Sequence, residues 1–160
     1  MRKIAKFLFI AVVAAAVNVF PNNVNAMEMP NAEEPAVTPV APTYIDVSID
    51  TQTLVYYVNG VPALITPCVT GQPGRGTPRG VFAINSCVPG KYLTGPTWHV
   101  WVNRWMRFCG NCGIHDASWR KSFGGEIYKT NGSHGCVNIP HDQAVQLYSM
   151  VGVGTPVIVH

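Results

Sequence analysis

Only one segment of this chain carries the apolar spacing of a helix. Ala144, Leu147, Tyr148 and Val151 fall at i, i+3, i+4 and i+7, after Pro140 and before Gly152. Elsewhere glycine and proline, 15 and 13 of 160 residues, cut the sequence into pieces too short for helices. Those pieces read as strands. Ile45, Val47 and Ile49 alternate with Asp46, Ser48 and Asp50, the period of a half-buried strand. Leu54–Val58 is β-branched and aromatic, and Asn59-Gly60 suits a tight hairpin turn, so Val61–Val69 is expected to return as its partner, irregular at Pro62. Gly71–Gly80 reads as a loop, with further strands at Val81–Asn85, Trp98–Val102 and Thr155–Val159. The fold class expected is mainly β, a sandwich or partly closed barrel of mixed sheets with one helix in the C-terminal region.

The first 26 residues stand apart. Arg2, Lys3 and Lys6 precede the 11-residue apolar run Phe7–Val17, and Val24-Asn25-Ala26 supplies small residues at a cleavage site. That order reads as a secretory signal, and the run is short for a membrane span. Residues 27–42 hold four prolines and no apolar periodicity, an extended linker. The domain is expected over residues 43–160. The formal charge is only +3, and three of the eleven basic residues lie in the leader, so there is no nucleic-acid footprint. An exported protein, in the periplasm or cell wall and acting as a monomer, is expected, with the membrane engaged only during export.

The chemistry concentrates in Ser133-His134-Gly135-Cys136-Val137-Asn138, with Gly113-Ile114-His115-Asp116 upstream. A glycine before a cysteine keeps the thiol unobstructed and allows backbone N–H groups to converge on a developing oxyanion. A thiol is mostly protonated at neutral pH, so a nucleophilic cysteine needs a base beside it. His115, separated from Ser133 by 17 residues, has the context for that base.

With these residues the chain resembles the L,D-transpeptidase catalytic domain of the YkuD-like family. The flanks agree: Gly71 before Thr77-Pro78-Arg79-Gly80, and Gly154-Thr155-Pro156-Val157 near the end. The resemblance covers about Tyr44 to His160. It implies Cys136 as nucleophile and His115 as base, the ring oriented by the backbone carbonyl of Asp116. It implies Gly135 and Cys136 amides at the oxyanion, and Ser133, His134 and Asn138 shaping the site. Asp116 is a departure if that position is usually small, and its carboxylate is a candidate for stabilising charged His115. The substrates implied are peptidoglycan stem peptides. The bond after the third residue is cleaved, D-Ala leaves and an amine accepts the acyl group; no cofactor and no metal are implied.

Trp101, Arg104, Trp105 and Arg120 are candidates for the substrate cleft, and Tyr92 with the loop Pro89–Pro96 for a flap. A strand through the tryptophans would put Trp101 and Trp105 on one face and Trp98 on the other. Cys68, Cys87, Cys109 and Cys112 are disulfide candidates in an exported protein. A Cys68–Cys87 bridge requires their strands to be antiparallel neighbours, and Cys109–Cys112 would close a small ring. Rival readings are a carboxypeptidase or a wall-protein anchoring enzyme using the same site, a non-catalytic wall-binding module, and a zinc site. The last would use Cys109, Cys112 and His115 with Cys136 or His134.

Overall fold

The computed structural model describes residues 42–160. The leader and the linker up to residue 41 lie outside the described residues. β1 (Tyr44–Ser48) and β2 (Thr53–Val58) are antiparallel, with Ile45, Val47, Leu54 and Tyr56 turned inward by strand alternation. Asn59 and Gly60 have φ of 52° and 77°, the turn expected, and lead into β3 (Val61–Pro67). The β2–β3 register slips where Tyr57 meets Pro62, as a residue without an N–H requires. After the loop come β4 (Gly80–Ala83), β5 (Ser86–Val88), β6 (Lys91–Gly95) and β7 (Trp98–Val102). β8 (Trp105–Cys109) and β9 (Cys112–Asp116) follow, then α1 (Ile127–Asn131), β10 (Val137–Ile139), α2 (His141–Met150) and β11 (Pro156–Val159).

One mixed sheet runs β3-β2-β1-β11-β4, with β1 and β11 parallel; a second runs β10-β9-β8-β5, with β10 and β9 parallel. Neither closes into a barrel. The core joins them: Ile45, Val47, Leu54, Val157 and Val159 of the first share one apolar cluster with Met106, Phe108, Ile114, Val137 and Ile139 of the second. α2 adds Ala144 and Leu147, the two helix positions that are fully buried. Burying such side chains supplies about 2 kcal/mol each.

Several expectations need correction. α1 is a second, five-residue helix with no buried residue, so it leaves no apolar stripe in the sequence. The stretch read as a flap loop is instead mostly β6, paired antiparallel with β7 in a two-stranded sheet of its own. Trp101 and Trp105 do not share a strand: Asn103-Arg104 turns the chain between β7 and β8, leaving Trp101 46% exposed and Trp105 buried. All five cysteines are unbridged. Cys68 follows β3 at the edge of the first sheet while Cys87 lies in β5 at the edge of the second, so the antiparallel pairing on which a Cys68–Cys87 bridge depends does not occur. Cys109 and Cys112 do face each other across β8 and β9, as free thiols packed against the core.

The loop after β3 is tied to the motif. Gly71 bridges Ser133, Gln72 N–H donates to the Ser133 carbonyl at 3.0 Å, and Gly71 N–H donates to Thr77 Oγ1 at 2.9 Å. A methyl at Gly71 would run into the Arg75 carbonyl and the Thr77 nitrogen. Gly71→Ala should therefore lower stability by about 1–3 kcal/mol, read from the urea midpoint, by forcing the loop off Ser133.

Candidate active site

The site is built on the parallel pair β9–β10, whose register places Asn138 opposite His115 and Val137 opposite Ile114. Opposite partners share a face, so His115 and Asn138 point together to one side while Ile114 and Val137 enter the core. Cys136, two residues before Asn138, joins that side. His115, Asn138 and Cys136 line one cavity of about 330 Å³ with Arg120, Ser133 and His134.

Both imidazole nitrogens are held. Nδ1 lies 2.8 Å from the Asp116 carbonyl oxygen, which only accepts, so Nδ1 carries the proton. Nε2 lies 3.0 Å from Asn138 Nδ2. The Asn138 amide is oriented from its far side, where Arg120 Nε–H donates to Oδ1 at 2.9 Å. Nδ2 must then donate to Nε2, which makes Nε2 the acceptor, the same tautomer that Asp116 selects. The Asn138 backbone is fixed in turn by exchanging hydrogen bonds of 2.8 and 2.9 Å with Val69.

The Asp116 backbone carbonyl thus sits where the family resemblance puts it. Its carboxylate does not face the ring. It accepts from Asn103 N–H at 2.7 Å, Asn103 Nδ2 at 2.9 Å and Arg104 N–H at 2.8 Å, closing the β7–β8 turn, with His141 Nδ1 at 3.6 Å. Burial pushes this carboxyl up, but hydrogen bonds from the Asn103 side chain and the Arg104 and Asn103 backbone outweigh it and hold the pKa below the ordinary value.

Burial pushes His115 from 6.5 down to about 4, against the opposing pull of the Asp116 carbonyl and carboxylate, and the nearby Arg120 charge adds to the lowering. Burial pushes the Cys136 thiol up to about 11, partly countered by a hydrogen bond from the Gly113 backbone. Burial thus disfavours the charged form of each group, the Cys136 thiolate as well as the His115 imidazolium. The thiol also lies 3.8 Å from the Asn111 carbonyl oxygen. Gly135 has φ +118°, and a side chain there would press on Cys112 Sγ at 3.0 Å. The Gly135 N–H, expected at an oxyanion, donates to Ser133 Oγ at 3.0 Å; Ser133 Oγ also reaches the Cys136 carbonyl.

The structure divides the cleft candidates. Arg120 lines the cavity with Cys136. Trp105 lines a second cavity, of about 750 Å³, that also reaches Cys136. Trp101 lines neither, and Arg104 turns away to the Asn103 carbonyl at 2.7 Å and the Tyr148 ring. His134 is exposed and tilted against Trp98, 5.6 Å between ring centroids. Trp98 and Leu93, on the β6–β7 hairpin, line both cavities. Leu93 lies within the Pro89–Pro96 stretch expected as a flap and Gly113 within the run quoted upstream of the motif, but Asn111 was not marked, because a backbone contact to the thiol leaves no side-chain signature. In this structure His115 Nε2 accepts from Asn138, and no group of three or more His, Cys, Asp or Glu side chains is gathered around one point among the described residues.

The match to the family model of the YkuD L,D-transpeptidase catalytic domain spans residues 42–159. The chain belongs to this family. No curated protein matches in sequence. Among solved structures, a mutant L,D-transpeptidase from Enterococcus faecium is similar at 38% identity and TM-score 0.72, over 76% of this chain and 50% of that one. The catalytic domain of an E. faecium L,D-transpeptidase is similar at 38% identity and TM-score 0.68, over 77% of this chain and 100% of that one. An L,D-transpeptidase from Mycobacterium smegmatis is similar at 32% identity and TM-score 0.67, over 75% of this chain and 59% of that one. The chain thus spans about half the length of the first of these.

The buried neutral histidine couples stability to pH. Its folded pKa, about 4, lies below its ordinary 6.5, so the unfolded chain binds the extra proton between those values. The contribution is full above 6.5 and is lost as pH falls through 4, about 3 kcal/mol in all. Urea unfolding should show this loss in the protein and a shallower acid slope in His115→Gln.

Proposed function

We propose that the protein is an exported L,D-transpeptidase that cross-links peptidoglycan stem peptides through a Cys136 thioester. The observation that carries this reading is the single cavity in which Cys136, His115 and Asn138 meet, with His115 held as an acceptor at Nε2. The leader, the linker and the family resemblance support action outside the cytoplasm. One E. faecium catalytic domain of this fold is described as acylated by ertapenem; the same reactivity is expected of Cys136 here.

In this mechanism the stem tetrapeptide places the carbonyl of its third residue against Cys136. His115 Nε2 exchanges its Asn138 N–H for the thiol proton as Sγ attacks. The S–C bond forms, and the C–N bond to D-Ala breaks as the imidazolium returns the proton to the departing amine. An acceptor amine then attacks the thioester, gives its proton to His115, and the thiol is restored. The Cys136 N–H and a Gly135 N–H released from Ser133 Oγ meet the oxyanion. Because the thiol starts protonated at a pKa of about 11, concerted removal by a neutral base is the accessible route at neutral pH.

One feature favours an amine acceptor over water, and a second suits the charge of the stems. Two cavities converge on Cys136, sharing Leu93, Trp98 and His134, which gives room for donor and acceptor peptides. No Asp or Glu lines either one, while Arg75, Lys91, Arg107 and Arg120 do, which suits carboxylate-bearing stems.

Incubation with a disaccharide-tetrapeptide, with products weighed by mass spectrometry, tests the proposal. Cross-linked dimers and free D-Ala are expected; tripeptide alone would assign a carboxypeptidase. Cys136→Ala should abolish D-Ala release, His115→Ala should lower kcat about 100- to 10,000-fold, and Asn138→Ala about tenfold. Release of D-Ala by folded Cys136→Ala would overturn the assignment.

A further inference from the structure

We propose that Arg120 is the carboxylate-binding group of the substrate cleft, receiving an acidic group of the acyl-donor stem beside Cys136. This rests on the stem-peptide reading above and adds the part of the substrate that the cleft selects.

Arg120 is half-buried and lines the cavity that holds the nucleophile. Two hydrogen bonds fix its guanidinium: Nε–H to Asn138 Oδ1 at 2.9 Å and Nη1–H to the Asn131 carbonyl at 2.7 Å. Both acceptors are neutral. A guanidinium has five N–H donors, so three remain after these bonds, including both on Nη2. Among the described residues Arg120 makes no ion pair, as is also true of Arg75, Lys91, Arg104, Arg107 and Lys121; what sets it apart is its fixed orientation in the cavity that holds Cys136. Burial lowers its pKa, and no anion acts in the opposite direction. A desolvated cation without a counter-ion is costly to keep. A substrate carboxylate supplies the missing charge and matches the planar fork with two parallel hydrogen bonds.

The position also links binding to chemistry. Arg120 orients the Asn138 amide, and that amide holds His115 Nε2. A carboxylate drawing on Arg120 therefore acts on the group that must release Nε2 before the base can take the thiol proton. Arg120 touches substrate, and it reaches the base through Asn138 and through its own charge.

Two carboxylates of a stem donor flank the scissile bond: the terminal one on the leaving D-Ala, and a side-chain one where the third residue is a diamino diacid. Calorimetric titration of the Cys136→Ala protein separates them without turnover. Three disaccharide-tetrapeptides are compared: unmodified, amidated at the terminus, and amidated at the third residue. Amidation at one position is expected to weaken binding at least tenfold. In Cys136→Ala/Arg120→Gln that penalty should vanish, and Arg120→Lys should restore part of it. The position that pays the penalty names the carboxylate. An amidation penalty that persists unchanged in the Arg120→Gln variant overturns the proposal, as does equal binding of all three forms to Cys136→Ala. Absence of binding by any form sinks the stem-peptide reading and the subsite together, which distinguishes the two failures.

Discussion

The parallel pairing of β9 with β10 is the constraint on which the rest depends. It sets Asn138 beside His115 across 23 residues of sequence, and strand alternation then sends the chemistry to one face and Ile114 and Val137 to the core. The spacing within the Cys136-Val137-Asn138 run follows from this. A one-residue slip in register would turn Asn138 into the apolar core and Val137 into the cavity, so the apolar core that stabilises the fold also holds the geometry of the candidate site. The loop after β3, through Val69 and Gly71, clamps the same segment from the other side.

Around that pair the side chains form a chain of single-valued hydrogen bonds. Arg120 can only donate, so it orients Asn138. Asn138 then donates to Nε2, and the Asp116 carbonyl takes the Nδ1 proton. Two independent contacts select one tautomer. Burial keeps the ring uncharged down to about pH 4 and the thiol protonated up to about pH 11. The hydrogen bonds thus hold His115 as a neutral acceptor at Nε2. The proposed mechanism accordingly relies on positioning rather than on a pre-formed thiolate, and the Asp116 carboxylate serves the β7–β8 turn instead of the base.

What the sequence disclosed follows from how each element is buried. β1 and β2 show alternation because one face of each is half-open, and Asn59-Gly60 marks its turn by the dihedral angles it demands. The α2 stripe was legible through Ala144 and Leu147. β9 and β10 were not, since Gly113–Asp116 and Val137–Ile139 are buried throughout and a strand covered on both faces has no period of two. β5, with three residues, is too short for any pattern. The motif itself was legible as chemistry, with Cys136 and His115 at its centre. The partition of the cleft residues was not, because the turn at Asn103-Arg104 that separates Trp101 from Trp105 is fixed by the distant Asp116 carboxylate.

The central claim is that the resting base is a neutral imidazole protonated at Nδ1, with Nε2 unprotonated and accepting from Asn138. The ¹⁵N chemical shifts of the His115 ring, recorded at pH 7 on the folded protein, read this directly. The account predicts one protonated nitrogen, Nδ1, and one unprotonated nitrogen, Nε2, shifting toward imidazolium only near pH 4. Two protonated nitrogens at pH 7 would reveal a thiolate–imidazolium pair and contradict it.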